Sequence, residues 1–530
     1  MKQILHIFLK DARHFWGEIF LSLAITAAFV CVTPHRWPAN FVAHGYLDLA
    51  GILVVLVPVS WWILTARVIL AERLVGDTQF WITRPYVWSN LFMAKLLFLA
   101  AFIYLPFCIA QCVLLSEAGF APQSYLPGLL YDQMMVAGII VLPLAAIDAI
   151  TSSFARMTLI LLGIYLGFLA FAALSMLSAS AHVDPIDNHL TFRLCFPLAV
   201  LVFSAAIVLQ YALRRVWLAR GVLISLPFLL WAAALFAAHY DQAQFNRIYP
   251  AVKAGAPIQI TVLPNLRSTE STSFQGSPSE VTIPLSFSMD ETGVAEGYAV
   301  LTDAVRADVT APDGSKWSSD WQAAGGYKFL PGEVPFSPGF AMPIAVYNKF
   351  KSMPLTVQLT LAITQAQAVR VNTVALATRT FSAPEFGNCA PETGWGPEFG
   401  GRVLELSHIT GISCVAALSE PQLTFVSTHW TNGPCPASAG APDPGVLGTA
   451  WVGSIDREPA QFGISPVVDA AVNLSNRYPS NQTGLRYLCP GTPIVFTQYK
   501  PAHRMQITTN IEGYHLPQVS IEGNRITISQ

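Results

Sequence analysis

Charge is what this sequence has least of. Only 12 % of its 530 residues are Asp, Glu, Lys or Arg, about half the usual share, while 53 % are hydrophobic and the mean hydropathy is +0.47. That balance excludes an ordinary soluble globular protein. Catalytic signatures are missing as well. There is no HExxH, no GxSxG and no GxxxxGK followed by Ser or Thr, so metalloprotease, serine hydrolase and ATPase all lack their motif. His408, His429, His503 and His515 are scattered rather than grouped. We therefore expect no enzyme activity and no cofactor held by this chain. Nor is there a basic face: 13 basic and 10 acidic residues precede Asp241, and 17 and 22 follow from there on, which excludes a nucleic-acid binder.

The averages hide a boundary. Up to Tyr240 the chain is nearly continuous apolar blocks, and from Asp241 it turns to Ser, Thr, Gly, Pro and short alternating runs. Crossing a hydrocarbon core takes about 20 apolar residues. Seven segments qualify or nearly so, centred on residues 19–33, 47–66, 91–115, 133–150, 157–178, 194–213 and 221–239. Before them, Ile4, Leu5, Phe8, Ala12, Phe15, Trp16 and Ile19 recur at helical spacing among Lys10, Asp11, Arg13 and His14, the pattern of an interfacial helix over residues 1–18 rather than a cleaved signal.

Orientation follows from the basic residues, which stay on the cytoplasmic side of a span. A cytoplasmic N-terminus places Lys2, Lys10, Arg13, Arg67, Arg73, Arg84, Lys95, Arg156, Arg214, Arg215 and Arg220 inside, and leaves Arg36 and Arg193 outside. An odd number of spans then delivers residues 241–530 to the outer face. Polar residues within spans are few. Gln111 and Asp148 stand out, and an intramembrane carboxylate either touches substrate or is satisfied locally, here by headgroups or by Arg156.

In the outer region the period becomes two: Leu355, Val357, Leu359, Leu361 and Ile363 alternate with polar or small residues, as do Ile283 and Leu285 around Pro284, which suggests an edge strand. Turn signals such as the Pro-Asp-Gly-Ser of residues 312–315 punctuate the runs. Residues 264–280 and 431–445 look like long surface loops. The fold class expected is a multi-domain chain: an α-helical transmembrane bundle over 19–240, then an all-β extracytoplasmic region of two β-sandwich modules, 241–381 and 382–530. Four of the eight cysteines, Cys389, Cys414, Cys435 and Cys489, fall in the second module. An oxidising compartment would join them as two disulfides, with three pairings open, in preference to a metal site.

The longest cytoplasmic excursion, between the second and third spans, is the most patterned stretch. Glu72, Arg73 and Asp77 flank the apolar Val68, Ile69, Leu74 and Val75, Gly76 permits a break, and Arg84-Pro85 marks a boundary. Glu72 precedes Gly76 by four, Pro85 follows Gly76 by nine and Lys95 follows Pro85 by ten. This segment resembles the coupling helix of ABC transporter permease subunits of the type 2 exporter class. The resemblance covers residues 1 to about 215. Asp77 stands where Thr is usual, and a seventh span leads to an outer region that the six-span permease lacks.

What the resemblance implies is a bacterial inner-membrane subunit with its C-terminal region in the periplasm. ATP would be hydrolysed by a separate cytoplasmic ATPase partner, and the permease would work as a homodimer or with a second permease. Glu72, Arg73, Gly76, Asp77, Arg84, Pro85 and Lys95 would form the interface and hinge. The alternative is a membrane-anchored periplasmic binding, adhesion or sensing module without transport.

Overall fold

The computed structural model describes residues 2–37, 45–71, 87–178, 189–251, 258–262, 269–273, 282–286, 289–329, 339–383, 386–393, 409–417, 423–429, 431–432, 447–452, 464–473, 486–522 and 525–529. It divides into two compact units that interleave along the chain. The first holds residues 1–170, 192–234 and 370–498, and the second holds 171–191, 235–369 and 499–530.

The N-terminal region is helical: α1 (Lys2–His14), α2 (Trp16–Val32), α3 (Gly45–Leu70), α4 (Trp88–Leu99), α5 (Leu105–Glu117), α6 (Leu126–Val136), α7 (Leu142–Ile150), α8 (Phe154–Ser178), α9 (His189–Val208) and α10 (Val216–Ile248). Six stretches among the described residues are long and apolar enough to cross a membrane: Trp16–His35, Leu49–Leu70, Trp88–Glu117, Pro122–Ile150, Leu194–Leu213 and Val216–Ala234. The chain is a membrane protein. Of the seven expected segments, the one at 157–178 is absent from these six. It lies in α8, whose described apolar stretch is Phe154–Ile164.

Two of the six spans are α-helices joined through a π-helical turn, and both turns have the same cause in sequence. Ala100–Tyr104 and Ala137–Val141 are each followed by Leu-Pro, Leu105-Pro106 and Leu142-Pro143. Proline has no N–H to give and its ring crowds the carbonyl four residues back. The backbone widens instead, with the Leu105 N–H donating to the Ala100 carbonyl and the Leu142 N–H to that of Ala137, and the helix continues.

α1 presents two faces. Ile7 and Asp11, spaced by four, are buried, as is Phe15 just past its end, whereas Leu5 and Leu9 are exposed, as the lipid-facing side of an interfacial helix would be. The bundle core gathers Phe15, Phe29, Trp61, Phe98, Phe107 and Leu114, with Trp61 edge-on to Phe107 at 5.0 Å.

The C-terminal region is strand-rich. Within the first unit the strands Phe381–Ser382, Asn388–Thr393, Ile409–Ala417 and Val467–Asn473 form an antiparallel sheet in that order. Leu423–His429 pairs with Leu447–Val452. Phe386, Ile412, Val426, Ile494 and Phe496 pack around Cys389 and Cys414. Within the second unit, Tyr298–Thr310 lies antiparallel to the start of the long strand Leu355–Ala375, and helix α11 (Ile344–Phe350) packs into the same core.

Alternation is obeyed at the start of that strand, where Leu355, Val357, Leu359 and Leu361 are buried and Thr356 and Gln358 exposed, and it lapses further on, where Ala362, Ile363 and Thr364 are all buried. Pro284 lies in Thr282–Ser286, which pairs with Gly339–Pro343 as a two-stranded sheet, a place that tolerates a residue without an N–H. Residues 312–315 do turn, with Gly314 at φ 82° and Asp313 Oδ1 accepting from the Ser315 N–H and hydroxyl. One expectation fails. Thr269–Ser273, inside the supposed loop 264–280, is a strand held by Arg525–Ser529, because a distant partner supplies the backbone hydrogen bonds that its polar composition does not advertise.

Candidate functional site

Asp11 and Lys95 meet in the helical region. Lys95, on α4, is 3 % exposed and Asp11, on α1, is 1 % exposed; Lys95 Nζ donates to Asp11 Oδ2 at 2.8 Å and to the Val68 carbonyl at 3.0 Å. Lys10 Nζ lies 3.6 Å from Asp11 Oδ1. A buried carboxylate or ammonium is costly unless paired, and each supplies what the other needs. Three chain segments, α1, the end of α3 and the second half of α4, are thus tied at one point.

Further ties surround it. Arg67 Nε donates to Glu18 Oε1 at 3.2 Å, with its guanidinium 5.9 Å over the Phe15 ring, and the Asn90 amide donates to Gln3 Oε1. Phe8 of α1 stacks on Phe102 at 5.7 Å. Arg67 and Val68 stand just before residues 72–86, and Asn90 and Lys95 just after. The flank after that segment is bonded to α1 through Asn90 and Lys95, and the flank before it to Glu18 of α2 and to Lys95.

Of the residues expected at the interface and hinge, Lys95 is the one among the described residues, where it is buried and paired with Asp11. Glu72, Arg73, Gly76, Asp77, Arg84 and Pro85 lie outside the described residues. Sequence reasoning missed Asp11 and Glu18 as partners. The signal was present for Asp11: a lone carboxylate at i+4 from Ile7 and i−4 from Phe15 sits on the buried stripe, where a charge needs a counter-charge.

The intramembrane polar residues behave differently. Gln111 accepts at Oε1 from the Gln133 amide at 2.9 Å, joining α5 to α6. Asp148 is 1 % exposed, and neither carboxylate oxygen has a hydrogen-bond partner among the described residues. Arg156 does not reach it; that guanidinium donates to Ser152 Oγ at 2.9 Å.

At the far end of α5, Asn388 touches the helical hairpin. Its backbone N–H donates to the Ala118 carbonyl at 2.9 Å and its side-chain amide to the Glu117 carbonyl at 3.0 Å. Cys389, the next residue, is disulfide-bonded to Cys414, its direct cross-strand neighbour. Cys489 is disulfide-bonded too, and Cys435 lies outside the described residues. Cys31, Cys108, Cys112 and Cys195 are free thiols.

The second unit has its own polar cluster where α10 ends. The Tyr249 hydroxyl donates to Asp303 Oδ2 at 2.9 Å, Thr364 Oγ1 donates to the same oxygen, and Arg504 lies 5.8 Å over the Tyr249 ring. Burial first, and the Asp303 carboxylate second, push the Tyr249 phenol well above its ordinary pKa, so it remains a donor. Among the described residues no group of three His, Cys, Asp or Glu side chains is placed to hold a metal ion.

Comparison with known families, curated proteins and solved structures finds no match to this chain.

Proposed function

We propose that this chain is the membrane-spanning, permease-like subunit of an ATP-driven transporter of the type 2 exporter class. Seven spans carry it through a bacterial inner membrane, α8 being the additional one. The N-terminus is cytoplasmic, and two β-sandwich modules stand on the periplasmic side. It acts as a homodimer or beside a second permease, and a separate cytoplasmic ATPase supplies the energy.

One observation carries this reading. The Lys95 ammonium, at the last position of the Glu-Gly-Pro-Lys pattern, is buried against Asp11 of the N-terminal helix and the Val68 carbonyl. A segment that receives force from a partner needs rigid ends, since a yielding frame would absorb the movement. Such a knot gives residues 72–86 a frame, and the bias of basic residues gives it a side. Closure of the ATPase would move the segment from Glu72 to Pro85, and the framed helices would follow.

Detergent co-purification with the product of a neighbouring reading frame bearing a phosphate-binding loop tests the proposal. Capture of that ATPase, abolished by charge reversal at Glu72 and Arg73, supports it; chemical crosslinking that recovers no ATPase sinks it. A second reading, a membrane-anchored binding or sensing module, draws on the hydrogen bonds from Asn388 to the α5 terminus, which would fix such a module to its anchor. ATPase capture unaffected by the charge reversal favours that alternative.

A further inference from the structure

The span Trp88–Glu117 carries a functional feature at each end. Lys95 binds the N-terminal helix near its start, and the carbonyls of Glu117 and Ala118 receive Asn388 at its finish. Glu117 lies twenty-two positions after Lys95. At 1.5 Å per residue that is about 33 Å, the thickness of a hydrocarbon core.

The contact at the finish is built for close approach. Gly387 packs so tightly that a Cβ there would stand 1.9 Å from the Ala118 carbonyl oxygen, an impossible distance with backbone on the other side. Gly119, at φ 91°, turns the hairpin so that Asn388 can enter; a Cβ there would be 3.2 Å from Asn388 Oδ1. Beside these polar contacts, Val415, Ala417 and Val467 share an apolar cluster with Leu114, Leu115, Ala118 and Phe120. The contact surface therefore comes from three adjacent strands. Cys389 follows Asn388 directly and Cys414 precedes Val415 directly, so the disulfide joins two of those strands beside the residues that dock. The Gly387 N–H also donates to the Val415 carbonyl at 2.8 Å, closing the same edge.

We infer that the Trp88–Glu117 helix and the disulfide-joined sheet move as one body, latched through Gly387 and Asn388. The helix is then the rod by which a rearrangement at the Lys95 end reaches the C-terminal β region. This stands apart from the identity of any ATPase, because it rests on the latch and on the continuity of one helix.

The test uses the full chain in lipid nanodiscs, with spin labels introduced as non-natural amino acids at the exposed Ser116 and Arg379, and with hydrogen exchange followed at residues 386–393. A single narrow distance distribution and a protected Asn388 amide are expected. In Gly387→Ala the distribution should broaden and the Asn388 amide should exchange about tenfold faster or more, the loss of one buried hydrogen bond. Amides of 409–417 should keep their rate and the Cys389–Cys414 bond should remain in non-reducing mass spectra. Should Gly387→Ala fail to fold, Asn388→Ala removes the side-chain bond alone, and a several-fold faster exchange at 386–393 is expected. A broad distribution in the unmodified chain overturns the inference, as does unchanged exchange in whichever of these variants folds.

Discussion

Removing the Lys95 ammonium while Asp11 remains strips a buried carboxylate of its hydrogen-bonded counter-charge and leaves only the half-exposed Lys10 ammonium 3.6 Å away, a loss of up to about 3–5 kcal/mol. Lys95→Met should accordingly lower the thermal midpoint of the detergent-solubilised chain sharply. Adding Asp11→Leu to it should restore most of the lost stability, since an apolar pair of similar volume needs no compensation. If the double variant is no more stable than Lys95→Met, the ion pair is not what ties α1 to α4. Tyr249 offers a second measurement. Its phenol is held neutral by burial and by Asp303, so its folded pKa lies above the unfolded value of about 10. The stability it contributes is complete below about pH 10 and declines as pH rises through the folded value. Tyr249→Phe should cost about 1.5 kcal/mol near neutrality, a gap that closes in alkaline unfolding series. A gap that is constant with pH would mean that the phenol stabilises by packing alone. The pairing was not legible from sequence: spacing within α1 marks Asp11 as a charge on an apolar stripe, but only the fold reveals that its counter-charge lies 84 residues away.

Helices were legible because an apolar run of span length has one stable state in lipid. Their irregularities were legible only in part. Leu105-Pro106 and Leu142-Pro143 announce that the i to i−4 ladder must yield, yet whether it kinks, breaks or widens into a π turn depends on neighbours that crowd the helix. Strands divide in the same way. Leu355–Ala375 declares itself by alternation, whereas Thr269–Ser273 has no apolar face and becomes a strand through its register with Arg525–Ser529. Arg214 shows the limit most clearly, as the single non-glycine residue with positive φ among those described, at 56°, where the π turn Leu209–Leu213 ends. A left-handed cap without glycine costs about 1 kcal/mol. Arg214→Ala and Arg214→Gly both remove the guanidinium, so their difference isolates the backbone. The glycine variant should be the more stable by about that amount in thermal melts. Equal midpoints would show that the turn relaxes out of the left-handed region.

For the whole molecule, the number of crossings and the disulfides constrain each other. With the N-terminus inside, six crossings return residues 241–530 to the reducing cytoplasm and seven place them outside. Disulfides persist in oxidising compartments, so the Cys389–Cys414 bond and the bonded state of Cys489 fit the outer placement proposed above. Six crossings alone would therefore conflict with the cysteine chemistry, and the seven-span topology proposed above, with α8 as a crossing, would remove the conflict. At 25 residues it is about 37 Å long, sufficient to cross. Phosphatase and fluorescent-protein fusions after Ser152, Asn188 and Ile248 read this directly. A cytoplasmic signal at Ser152, and periplasmic signals at Asn188 and Ile248, are expected. Like signals at Ser152 and Asn188 would mean that α8 does not cross. The C-terminal sheet would then sit inside, and its disulfides would have to be absent from peptides of freshly alkylated cells.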